Sequence, residues 1–214
     1  MHIPDGFIAP QVYLPAYAVA AGAWWWAARG LRENLDHEQI PRLAVLTALA
    51  YVLGLVMVPL PGGTSGHALG VALLALVFGP RLAFLAYSLV LVLQSLLFGA
   101  GGITALPVNA LAVGLAGALM ASGVFRLFRR YDETLAVVAA TWISIAVSAV
   151  LVALALGVQP AVAHKPDGTP LFFPFGPEIT LPALVLPHLL IGAGEAMLTL
   201  LVWRFARARK WTPA

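Results

Sequence analysis

Cysteine is absent from this 214-residue chain, and charged residues are scarce. Without cysteine the protein has neither disulfides nor thiolate ligands, so its five histidines are the main candidates for soft-metal binding. Charged residues make up 10% of the chain and apolar residues 61%, whereas soluble domains carry about 25% charged residues. This composition excludes a soluble enzyme with a single packed core, and it excludes disorder. It indicates a polytopic membrane protein.

Seven apolar runs are candidates for membrane crossings. A helix needs about 20 residues to cross the hydrocarbon core, and the third run has only 12. The runs are 12–28, 43–58, 68–79, 82–98, 105–125, 135–156 and 179–203. We therefore predict an all-α fold in which residues 1–214 form one integral membrane domain with seven transmembrane helices.

The positions of the cations predict the orientation of these helices. Seven crossings with the amino terminus outside place 11 of the 12 Lys and Arg residues on the inner side, and only Lys165 outside. If the third run did not cross, the split would be 8 to 4. Because the inner loops of membrane proteins are enriched in Lys and Arg, we predict an outer amino terminus and a cytoplasmic carboxyl terminus. The net charge of +3 then marks the inner face and does not indicate nucleic-acid binding.

His2 is an informative residue because it follows the α-amino group of Met1. The initiator methionine is normally removed only before small residues, so a histidine at position 2 should leave it in place. The amine, the His2 amide nitrogen and the His2 Nδ1 can then chelate one ion through a five-membered and a six-membered ring. Three nitrogens in one plane leave a fourth corner open, and such a site suits Ni(II) or Cu(II). Residues 1–11 are the predicted metal-binding segment, and an ordinary terminal tail is the alternative.

His67 is the natural fourth ligand on the same side. It ends the uncharged, Gly- and Pro-rich stretch 59–67, which we predict to be an irregular loop buried near the outer face. The glycines leave little bulk to block another segment. A structural histidine or a proton relay is the alternative for His67. Candidates for supporting the site without binding the ion are Asp5, Thr64, Ser65 and Asn109.

His188 and Glu195 are ionisable residues inside the last apolar run. They are seven residues apart and therefore lie on nearly the same helix face. Such groups must face the bundle interior, a cavity or a partner, so we predict either a relay or a structural pair. His164 lies in the long outer loop 157–178, where a solvated surface histidine is the simpler interpretation.

Four stretches of the chain resemble the nickel/cobalt substrate-binding subunits of energy-coupling factor transporters. They are residues 1–7 (MHIPDGF), 63–67 (GTSGH), 94–109 (QSLLFGAGGITALPVN) and 188–199 (HLLIGAGEAMLT). Together they reach from the first residue to about residue 200. The chain departs from the pattern at Ala100, where that family commonly has an acidic residue.

The resemblance implies a seven-helix membrane subunit that holds its metal through the Met1 amine, the His2 amide and imidazole, and His67. It also implies partners, namely a transmembrane coupling subunit, two cytosolic ATPases and, in many cases, a small accessory membrane protein. This chain has no Gly-rich phosphate loop, so ATP hydrolysis would belong to the partners. The expected location is the cytoplasmic (inner) membrane of a prokaryote.

The leading hypothesis is a subunit that captures Ni(II) or Co(II) at the outer face as a transported substrate, with no catalytic cofactor. One alternative is a stand-alone proton- or ion-coupled carrier that uses Glu195 and His188. Another is a membrane enzyme in which His2 and His67 activate water, but four strong ligands would leave no open position for a substrate. Neighbouring genes for cobalamin synthesis or for a nickel enzyme would distinguish cobalt from nickel.

Overall fold

The computed structural model describes residues 1–31, 36–60 and 64–212, which are mostly helical. These ranges also contain a β-hairpin, in which β1 (Val58–Leu60) pairs antiparallel with β2 (Thr64–Gly66). The helices are α1 (Pro10–Ala28), α2 (Gln39–Leu55), α3 (Val71–Phe78), α4 (Pro80–Phe98), α5 (Leu106–Phe128), α6 (Glu133–Gly157), α7 (Gln159–Val162) and α8 (Pro177–Ala208). Each of the seven apolar runs coincides with a helix, and α7 adds one turn after α6.

Among the described residues, four helical stretches are long and apolar enough to cross a membrane: α4, α5, the α6–α7 stretch Glu133–Val162, and α8. Helix α2 is apolar but has only 17 residues. Helix α1 has 19 residues, among them two prolines and three tryptophans that reduce its hydropathy. The protein is thus a mainly helical, multi-pass membrane protein. The full set of seven crossings and their orientation remain predictions.

Helix α3 explains why the third apolar run, residues 68–79, is too short to cross a membrane. Its eight residues extend about 12 Å, which is far less than a hydrocarbon core of about 30 Å. Because residues 71–77 are all buried, other helices surround α3, and its length need not match the bilayer. The predicted start at residue 68 was too early, since Gly70 adopts a left-handed conformation with φ of 74°. A Cβ at this glycine would lie 2.7 Å from the Cβ of Ala50.

The hairpin corrects the prediction of an irregular, buried loop at 59–67 in a purely α-helical fold. Val58 pairs with Gly66 across the hairpin. Val58 is 53% exposed, whereas His67, which follows the second strand, is 4% exposed, so the hairpin leads from the surface into the bundle. Residues 61–63 and the side chains of Thr64 and Ser65 lie outside the described part of the chain. The supporting role of Thr64 and Ser65 remains a prediction.

The two ends of the helix bundle differ in charge. At one end, Arg29 packs over the ring of Trp25 and Arg81 over that of Trp26. The same end has a cavity of about 530 Å³, whose charged lining residues are Arg126, Arg129, Arg130, Glu133 and Arg207. At the other end the amino-terminal segment meets the loop before α5 and the loop before α8. The cation-poor end is therefore the end that carries the first residues of the chain.

Candidate metal site

The first nine residues, which we call the terminal plug, fold back into the helix bundle. Met1 is 6% exposed and Ile3 is 1% exposed. The Ile3 amide donates to Asn109 Oδ1, and Asn109 Nδ2 donates to the Ile3 carbonyl, both at 3.0 Å. The Ala9 amide donates to Gln159 Oε1 at 2.9 Å. Since its main chain is bonded to two buried amide side chains, the plug is an ordered element rather than a loose tail.

Asp5 fixes the exposed side of the plug to the loop before α5. Its carboxylate accepts hydrogen bonds from the Thr104 hydroxyl at 2.6 Å, from the Thr104 amide at 2.7 Å and from the Ile103 amide at 3.1 Å. These bonds, led by that of the Thr104 hydroxyl, lower the pKa of Asp5. Gly102 permits the approach, because a Cβ there would overlap the main chain of Asp5. Asp5 is thus an anchor of the plug.

The plug brings the Met1 amine and His2 to His67. The amine nitrogen lies 3.4 Å from His67 Nε2, and the ring centroids of His2 and His67 are 4.7 Å apart. Two nitrogens at right angles on one ion would stand about 2.9 Å apart for bonds of about 2.0–2.1 Å, so a small contraction would place both on one ion. In the described ranges no three His, Asp or Glu side chains form a ligand cluster. Further donors would have to come from the main chain.

Hydrogen bonds orient both imidazoles. His67 Nδ1 lies 3.0 Å from the Ala68 carbonyl oxygen, to which it can only donate, so Nε2 keeps its lone pair on the side of the amine. His2 Nε2 lies 3.0 Å from Tyr87 Oη. When Nε2–H donates to the phenol, Nδ1 keeps the lone pair that the six-membered chelate ring requires. Tyr87 was not among the sequence-based candidates, although a phenol in the middle of an apolar run could have indicated a buried polar partner.

Burial keeps the nitrogens of this site unprotonated. Desolvation lowers the pKa of the Met1 amine to about 5. It lowers that of His67 to about 3, with smaller contributions from the amine and from His188. The pKa of His2 falls well below its ordinary value, again mainly through burial. Because metal ligands must be deprotonated to bind, these three groups are ready donors at neutral pH.

Glu195 holds the segment that follows His67. Its two carboxylate oxygens accept hydrogen bonds from the Leu69 and Gly70 amides, each at 2.7 Å. These two amides lie at the start of α3, where a helix leaves main-chain amides without a partner. A carboxylate there both accepts their hydrogen bonds and places a negative charge at the helix amino terminus, which is favourable. These two bonds account for a buried carboxylate in an apolar helix without assigning it to proton transfer.

His188 lies two turns before Glu195 on α8 and is 1% exposed. Its Nδ1 donates to the Leu184 carbonyl at 2.6 Å. Within the described part of the chain, its Nε2 is buried without a hydrogen-bond partner.

The loop between α7 and α8 covers the plug without bringing its own histidine to the site. The rings of Phe7 and Phe173 have centroids 5.4 Å apart, and the Phe173 amide donates to the Phe7 carbonyl at 3.4 Å. His164, in the same loop, is exposed, and its Nδ1 lies 3.0 Å from the Lys165 carbonyl oxygen. The loop therefore helps to cover the plug.

Comparison with known proteins covers nearly the whole chain. Residues 2–213 match the family described as "CbiM: Cobalt uptake substrate-specific transmembrane region". The chain is 36% identical over 211 residues to the "Probable fused nickel transport protein LarMN" of Lactiplantibacillus plantarum, covering 97% of this chain and 64% of that protein. It is 34% identical over 212 residues to the "Fused nickel transport protein NikMN" of Rhodobacter capsulatus, covering 95% and 61%.

A solved structure has the same fold. The chain superposes with a TM-score of 0.93 and 34% identity on a crystal structure described as a truncated transition metal transporter. The match covers 98% of this chain and 99% of that one. By contrast, the chain spans less than two thirds of the length of the two fused nickel transport proteins.

Proposed function

The chain belongs to the family of cobalt uptake substrate-specific transmembrane regions, and from this membership we propose that it captures Ni(II) or Co(II) for import. The ion binds at the outer face of a prokaryotic cytoplasmic membrane. Its ligands are the Met1 amine, the His2 amide nitrogen and Nδ1, and His67 Nε2. The observation that carries the proposal is the 3.4 Å approach of the buried amine to His67 Nε2.

The proposed donor set explains which ions it would select. Four nitrogens in one plane suit Ni(II) and related transition metals, whereas Mg²⁺ and Ca²⁺ require oxygen ligands. The amine and both imidazoles are already neutral, so only the His2 amide has to give up a proton. Binding at neutral pH then releases about one proton for each ion.

Import requires energy, which we assign to partners. The proposed assembly contains a transmembrane coupling subunit, two cytosolic ATPases and a small accessory membrane protein. The two relatives named as fused transport proteins continue well beyond the matched stretch, which supports a need for further segments. Both are named as transport proteins rather than enzymes, which supports transport over catalysis for this chain.

Reconstitution distinguishes the partner-driven importer from a stand-alone carrier. We expect the chain alone in proteoliposomes to bind Ni(II) without accumulating it, because the described structure gives Glu195 a structural partner on each carboxylate oxygen. Accumulation should need the coupling subunit, the ATPases and hydrolysable ATP. Uptake driven by a proton gradient in the chain alone, and lost in Glu195→Gln, would instead establish the stand-alone carrier.

Asn109 should support metal binding through the plug. Replacing Asn109 by Leu removes both hydrogen bonds to Ile3, and we expect the affinity for Ni(II) to fall by about 10–100-fold, as is typical for residues that orient metal ligands. Calorimetric titration of the purified protein measures this change. Gln94→Leu is the matched control, because Gln94 is a buried amide that bonds Tyr51 and not the plug. Equal losses in both variants would show that general destabilisation is the cause.

A further inference from the structure

The cation-rich end of the helix bundle contains a cavity of about 530 Å³ that has no part in the proposed metal site. Helix α3 ends at Phe78, whereas α5 continues to Phe128 and α8 to Ala208. Ala75 and Leu76, near the end of α3, line the space that its short length leaves between the longer helices. Small-molecule sites typically enclose about 300–1,000 Å³, so this cavity is large enough for a small ligand or a lipid headgroup.

The wall of this cavity combines two kinds of chemistry. One part is apolar and includes Phe125 and Trp203, whose ring centroids are 5.1 Å apart. Trp203 is 3% exposed, so this part lies deep in the bundle. The other part is a rim of four exposed arginines, namely Arg126, Arg129, Arg130 and Arg207. A ligand that fits both parts has an anionic group next to an apolar one.

The positive charge of the rim is largely uncompensated. Glu133 is the one carboxylate among the described lining residues. Its Oε1 lies 3.3 Å from Arg207 Nε and also accepts a hydrogen bond from Trp203 Nε1 at 2.7 Å. Within the described ranges, no ion pair joins any of the other three arginines to a carboxylate. Because like charges repel one another, an anion bound among these three guanidinium groups is stabilised.

The surroundings of the cavity favour a lipid as the source of that anion. The guanidinium carbon of Arg130 lies 4.6 Å from the ring centroid of Tyr131, which is 70% exposed. Exposed aromatic residues and cations together are typical of the headgroup level of a membrane. Leu127 on α5 and Leu201 on α8 are 53% and 62% exposed, so apolar faces that lipid chains can cover lie beside the cavity. An acidic protein segment would satisfy the arginines without covering these faces.

We propose that this cavity binds the phosphate of an anionic phospholipid such as phosphatidylglycerol, through the guanidinium groups of Arg126, Arg129 and Arg130. Guanidinium groups bind phosphate oxygens in pairs of parallel hydrogen bonds, and basic pockets between transmembrane helices bind lipid headgroups. Phe125 and Trp203 contact the apolar part of the lipid. A zwitterionic lipid is disfavoured, because its ammonium group would be repelled by the same arginines. The lipid thereby joins the ends of α3, α5 and α8.

Native mass spectrometry of the purified full chain in a neutral detergent tests the proposal. The protein is titrated separately with dioleoyl phosphatidylglycerol, dioleoyl phosphatidylcholine and inorganic phosphate. We expect one molecule of phosphatidylglycerol to bind more tightly than either of the other two. Replacing Arg126, Arg129 and Arg130 together by Gln should lower that affinity by about a hundredfold, since each arginine near a membrane surface contributes about fivefold.

The matched control replaces Arg29, Arg204 and Arg209 together by Gln. These exposed arginines carry the same charge but do not line the cavity, so the affinity for phosphatidylglycerol should stay within about threefold. Equal losses in the two triple variants, or equal binding of the two lipids to the wild type, would overturn the proposal and favour an acidic segment of a partner protein. Inorganic phosphate that bound as tightly as phosphatidylglycerol would exclude the lipid as the specific ligand.

Photolabelling of the wild-type protein gives a test that does not depend on a variant. A phosphatidylglycerol analogue with a diazirine at the start of one acyl chain is irradiated with the full chain, and the labelled peptides are identified by mass spectrometry. We expect labels on the peptides that contain Phe125 and Trp203, and unlabelled phosphatidylglycerol, but not phosphatidylcholine, should remove them. Labels spread over the lipid-exposed surface and unaffected by either competitor would overturn the proposal even if the triple variant failed to fold.

Discussion

A peptide extension ahead of Met1 is expected to abolish metal binding. The extension converts the terminal amine into an amide and so removes the donor that lies 3.4 Å from His67 Nε2. Without the amine to anchor the first ring, the His2 amide cannot be deprotonated by the ion. The extension would also have to displace the plug, since Met1 is 6% exposed.

The expected loss is large because two ligands disappear together. Structural four-ligand Zn²⁺ sites in zinc-finger peptides have apparent binding free energies of about 10–16 kcal/mol, which is about 3 kcal/mol for each ligand. Loss of two ligands therefore corresponds to at least about a ten-thousandfold decrease in affinity. Calorimetric titration with Ni(II) should show no measurable heat of specific binding.

The matched control is the same extension placed after Ala214. A protease that cuts immediately before Met1 should restore binding to the extended protein, which separates loss of the amine from misfolding. Wild-type affinity in the uncut protein would refute the amine as a ligand.

His67→Ala is expected to produce the second largest effect. It removes one nitrogen, so affinity should fall by about a hundredfold. Water or chloride would enter the vacant corner, and a weaker field at the ion should shift the d–d absorption of bound Ni(II) to longer wavelength. Absorption spectroscopy during a titration measures both the affinity for Ni(II) and the strength of the ligand field at the bound ion.

The control for this variant is His37→Ala, because His37 is exposed and lies outside the site. It should leave both affinity and spectrum unchanged. A His67→Ala protein that bound Ni(II) with an unchanged d–d spectrum would exclude His67 from the ligand set.

The sequence predicted the membrane-protein class because composition and apolar runs reflect burial in lipid directly. It also singled out Met1, His2 and His67, since each owes its chemistry to a local feature: a terminal amine, an adjacent amide, a glycine-rich approach. The structure places the amine against His67 Nε2 and the His2 ring beside that of His67. Their role as ligands remains a prediction for the experiments above.

The features that the sequence did not predict depend on tertiary partners. Tyr87 comes within 3.0 Å of His2 Nε2 only because the plug enters the bundle beside α4. Glu195 resembled a relay residue, since no pattern along α8 shows that the amides of Leu69 and Gly70 would be its partners. The sequence likewise did not predict the hairpin at 58–66, because glycine and proline indicate turns more reliably than they indicate the pairing of two strands.

The terminal plug has a kinetic consequence. It closes the site and carries three of the four proposed donors, so the ion cannot leave unless these nitrogens release it or the plug withdraws with it. Withdrawal would expose Ile3 and Ile8, each 1% exposed in the seated plug, at a cost of about 1.5–3 kcal/mol for each side chain. The residence time of the ion is then governed by the opening rate of nine residues. A partner subunit that pulled on these residues would therefore control when the ion is released, without any change in the four ligands.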